Sequence, residues 1–117
     1  MLAAIALPTF VGQRTKSQDV EAKIYAVAAQ KALEIYQSQH DTYAGAGQAE
    51  LAEIEGSLAS ARGLSISGMS STFDLVVDSA AGAHGGGSFA VARAADDHIT
   101  RTCANAGRGA CQGDGTW

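Results

Sequence analysis

The feature that most constrains this chain is a helical repeat running from Thr9 to about Ser38. Val20, Ile24, Val27 and Ile35 recur at helical intervals, and Tyr25, Ala29, Ala32 and Tyr36 form a neighbouring row. Arg14, Lys16, Asp19, Lys23, Lys31 and Glu34 fill the remaining face, with Asp19 and Lys23 in the favourable order for a pair four apart. About thirty helical residues extend about 45 Å. The whole chain has 117 residues, which suits one compact domain. Such a domain cannot cover a helix of that length, so part of it must protrude or pack on another molecule.

The helix is entered through "MLAAIALP", in which residues 1–7 are apolar without exception. Seven residues cannot cross a bilayer, which takes about twenty. Their composition is nevertheless that of the last two turns of a spanning segment. The expectation is therefore a longer hydrophobic helix that begins upstream of Met1, with Pro8 inside it as a kink. Ala3, Ala4 and Ala6 would let such helices approach closely, and Gly12 is a second weak point at which the helix could bend.

Downstream the pattern changes. "QHDTYAGAGQ" reads as a loop, and residues 48–55 as a short helix stopped by Gly56, with Leu58 returning to the core. "LSIS" at 64–67 is a weak strand, and 71–79 and 88–95 are stronger ones. Phe73, Leu75 and Val77 face opposite to Asp74 and Asp78; Phe89 and Val91 oppose Ala90 and Ala92. "AAGAHGGG" between them reads as a glycine-rich hairpin turn, and "HITRTC" at 98–103 is a last strand after an Asp96-Asp97 turn. The predicted architecture is α+β. A long N-terminal helix (1–38) is followed by an αβ loop with a short helix (39–70), then by an antiparallel sheet of three to four strands with a closed C-terminal loop (71–117).

Seven residues separate Cys103 from Cys111, glycines among them. That spacing allows disulfide geometry. Two free thiols, or half of a metal site, are the competing readings; zinc would want four ligands, and His98 alone lies near. A disulfide would add about 2–3 kcal/mol to a small domain poor in aromatics and imply an oxidising compartment.

Other chemistry finds little support. His40, His84 and His98 are scattered, with no spacing typical of a metal or nucleophile site, and "GAHGGGS" lacks the Lys-Ser/Thr of a phosphate loop. Asp96, Asp97 and Asp114 fall short of the six or more oxygens calcium wants. Arg93, Arg101 and Arg108 stand beside those aspartates as a mixed-sign surface, and the formal charge is −4, which argues against nucleic acid as a partner. Tyr25, Tyr36 and Tyr43 read as packing groups with hydroxyls at the rim. Neither a cofactor nor a catalytic residue is expected.

"LAAIALPTFVGQRTKSQD" resembles the second half of the N-terminal segment of type IV pilins and pseudopilins, and "HDTYAG" and "TCANAGRGACQGDGTW" are weaker matches in the places where pilins carry such elements. The resemblance implies a structural, non-enzymatic subunit of a helical surface filament. Leu2, Ala3, Ala4, Ile5, Ala6, Leu7, Pro8 and Phe10 would pack in the filament core, and Cys103 and Cys111 would close the C-terminal loop. Its implied partners are copies of itself, a prepilin peptidase, the pilus assembly machinery, and the inner membrane before assembly. The peptidase site, the methylated residue and a glutamate near the mature start would lie upstream of Met1. Adhesion, motility or secretion would be the filament's task. A type II secretion pseudopilin and a DNA-binding minor pilin are the alternatives.

Overall fold

A computed structural model describes residues 2–117, with side chains from Thr15 onward, Ala83 excepted. Helix α1 spans Leu2–His40, 39 residues, so Pro8 lies within it. At 1.5 Å per residue it is about 58 Å long, close to the 60 Å long axis of the molecule. It ends where Asp41 turns to a positive φ of 59° and returns its N–H to the Gln37 carbonyl at 2.7 Å, a left-handed C-terminal cap.

Helix α2 spans Gln48–Ile54. The Glu50 carboxylate reaches back to accept from the Gly47 N–H at 3.0 Å, occupying a donor that the helix start would leave unpaired. The α-helix ends just before Gly56, as expected, and Gly56 opens a 3-10 turn, Gly56–Ser60, which carries Leu58 into the core with no measurable exposure.

Strands β1 (Ser65–Gly68), β2 (Phe73–Asp78), β3 (Ser88–Arg93) and β4 (Ile99–Cys103) form one antiparallel sheet in sequence order. Its register pairs Leu75 with Val91 and Val77 with Phe89. Phe73, Leu75, Val77, Phe89 and Val91 are all buried, whereas Asp74 and Asp78 are exposed, as the alternation predicts. The fold is therefore α+β, with one long helix packed on a four-stranded sheet.

The helix face that packs on the sheet differs from the one its bulkiest residues suggest. Asp19, Ala22, Ala26, Ala29, Ala32 and Leu33 are buried, while Val20, Ile24 and Ile35 are exposed. Alanines let the helix axis come close to strands that already carry two phenylalanines, so the volume at the contact is supplied from the sheet side. Tyr43, just past the helix, completes this core edge-on to Phe73, with ring centroids 5.0 Å apart.

Candidate functional site

The alanine face of α1 is occupied by the sheet, and its aliphatic face is left outside. Val20, Ile24 and Ile35 are 45%, 62% and 45% exposed. With Val27, Lys23, Lys31 and Ile54 they line a groove of about 440 Å³ between α1 and α2. Single exposed aliphatics are ordinary on a protein surface. Here they form a row along one side of the helix, flanked by lysines.

The opposite side of the same helical turn holds a buried carboxylate. Asp19 is 0% exposed. Its Oδ1 accepts from the Ser79 hydroxyl at 2.5 Å. Its Oδ2 accepts from the Gly86 N–H at 2.8 Å and from the Ala110 N–H at 2.9 Å. One side chain of α1 thus ties together the β2–β3 loop and the C-terminal loop. Both loops approach it through glycine. A Cβ on Gly85 would stand 2.7 Å from each carboxylate oxygen, and one on Gly109, whose φ is +54°, would run into Oδ2. The pairing of Asp19 with Lys23 on an exposed face is therefore corrected, because Asp19 points inward. Positions 19, 22, 26, 29 and 33 share one helical phase, which sets Asp19 in the buried alanine row.

The "AAGAHGGG" segment accordingly does more than turn the chain. A short 3-10 stretch, Gly82–His84, folds it over, and Gly86 lies so close to Phe89 and Cys111 that a Cβ would meet both. Cys103 and Cys111 form a disulfide, with an S–S distance of 1.99 Å and Cα atoms 5.8 Å apart. The bridge joins β4 to the segment whose Ala110 reaches Asp19. The Asn105 side chain donates to the Gly85 carbonyl at 3.0 Å and binds the same two loops a second time.

Trp117, to which the sequence reading assigned no role, is built into the sheet. Its indole N–H lies within hydrogen-bonding distance of the Ala90 and Thr102 carbonyls, at 3.1 and 2.8 Å, and its ring meets Phe89 edge-on. Asp114 next to it accepts from the Thr116 hydroxyl at 2.6 Å and from the Thr116 N–H. These bonds, the hydroxyl first, hold its carboxyl below the usual range.

The arginines have different surroundings. Arg93 pairs with Asp97, lies 4.0 Å from Glu34 and donates to the Ser71 carbonyl, while Arg101 lies over the Trp117 ring at 5.1 Å. Tyr43 donates to the Glu34 carboxylate at 3.0 Å, and burial, aided by that carboxylate, raises its phenol above the ordinary value. Tyr36 donates to the Ala44 carbonyl.

Among the described residues no three His, Cys, Asp or Glu side chains are grouped to hold a metal. No described helix is long and apolar enough to cross a membrane. The side chains of Leu2, Ala3, Ala4, Ile5, Ala6, Leu7, Pro8 and Phe10, expected in a filament core, lie outside the described residues. Comparison of the chain with known protein families, with characterised proteins and with solved structures finds no match.

Proposed function

We propose that this chain is a structural subunit of the type IV pilin kind, which assembles with copies of itself into an extracellular filament through α1. The observation that carries the reading is the division of labour along that helix. Its alanine side holds a small disulfide-closed head, and its aliphatic side, from Val20 to Ile35, remains outside the head's own core. Copies standing side by side would bury that row, the hydrophobic gain increasing with each neighbour. The head then supplies a stapled surface suited to an oxidising exterior.

The reading is tested on the producing cell. Filaments sheared from the surface are expected to be decorated along their length by antibody against the head. Detection of the protein only as a dispersed species, with no labelled filament, would overturn it.

A further inference from the structure

One face of the sheet packs on α1, and the other is open. Strand alternation and register set Asp74, Val76 and Asp78 of β2 on that outer face, beside Ala90 and Ala92 of β3 and then Thr100 and Thr102 of β4. The aspartates and threonines are exposed, and Val76, Ala90 and Ala92 are half-buried. We propose that the outer face receives the aliphatic row of α1 from a second copy of the chain. The inference rests on the filament reading and names the surface that α1 meets.

The two surfaces match first in relief. Within one copy, alanines of the helix meet phenylalanines of the sheet. Between copies the sizes are exchanged: Val20, Ile24 and Ile35 of the helix lie over alanines of the sheet, so bulk again meets a small-residue surface. They match next in charge. Lys23 and Lys31 flank the row, while the outer face carries Asp74 and Asp78 and no lysine or arginine among its strand positions. None of these four makes an ion pair among the described residues. Glu55, the one acid lining the groove, accepts from the Ser57 hydroxyl at 3.1 Å. They match finally in spacing. Lys23 and Lys31 are about 12 Å apart along the helix axis, and Asp74 and Asp78 are about 13 Å apart along β2.

Like surfaces do not suit one another. Two rows face to face would bring lysine to lysine, and two outer faces would bring aspartate to aspartate. The contact therefore joins unlike surfaces. Row and outer face lie on opposite sides of one molecule, so each added copy leaves one of each free for the next.

Charge exchange tests this in solution. At about 0.1 mM and low salt, sedimentation of the wild-type protein is expected to show species larger than a dimer. Lys23→Glu with Lys31→Glu makes both surfaces acidic, and Asp74→Lys with Asp78→Lys makes both basic. Each variant alone should associate at least about tenfold more weakly. Mixed in equal amounts, the two should again form species larger than a dimer, because each offers the surface the other lacks. A wild-type protein that stays monomeric at about 1 mM, variants that associate as the wild type does, or a mixture that stops at dimers would overturn the proposal. Carbodiimide treatment of wild-type oligomers or filaments needs no substitution, and it decides the matter if a variant fails to fold. It is expected to join Lys23 or Lys31 of one copy to Asp74 or Asp78 of another. Antibody-labelled filaments in which those lysines join only other carboxylates would remove this contact and leave the filament reading in place.

Discussion

Asp19 shows how much one residue can organise. A buried carboxylate is tolerated when its lone pairs are occupied, and this one accepts from a hydroxyl and two backbone amides. Asp19→Asn removes the charge and sets an amide N–H₂ among those donors. It is expected to lower stability by about 3 kcal/mol, read as a shift in the urea midpoint. A loss below about 0.5 kcal/mol, the usual range for an exposed site, would show that the anchor is not formed. The sequence could not reveal Asp19's partners, which lie 60, 67 and 91 positions away. It did reveal Phe73, Leu75 and Val77, because a strand's period of two needs no distant information.

At the level of elements, the strands were legible and the buried helix face was not. Strand alternation sets phenylalanine and leucine against aspartate, a contrast that survives any packing arrangement. On α1 the contrast is inverted: Ala22, Ala26, Ala29 and Ala32 face the core, while Val20, Ile24 and Ile35, larger and more apolar, face out. Ranking residues by hydrophobicity thus selects the wrong side, because the contact requires close approach more than bulk. The C-terminal loop raises a further question of coupling. Its disulfide, at a sequence separation of 8, should contribute about 2–3 kcal/mol, part of it by holding Ala110 against Asp19. Reduction and Asp19→Asn are therefore expected to be non-additive, with the substitution costing about 1 kcal/mol less in the reduced protein. Denaturation of the four forms measures this, and equal costs in both redox states would separate the bridge from the anchor.

For the whole molecule the governing proportion is 60 × 29 × 16 Å. A globular chain of this size does not fill such a shape; the helix sets its length. The sequence announced that excess through the extent of its helical repeat, and it announced the order of the strands, but not which neighbour would meet the outer row. If the row serves assembly, Val20→Ser with Ile24→Ser should change head stability by about 0.5 kcal/mol or less, since both sites are exposed, while reducing the number of surface filaments several-fold. Thermal melting and filament counts measure the two effects separately. Unaltered filament numbers would remove this stretch from the interface.

The Asp19 bond to Ala110 also bears on the order of events in folding. It joins positions 91 apart, and closing so long a segment costs more entropy than the local strand pairings do. The meander, whose strands follow one another directly, can form before that clasp engages. The clasp then belongs to the native side of the barrier, where it slows opening and leaves the rate of folding almost untouched. Persistence, more than speed of formation, is what this carboxylate confers.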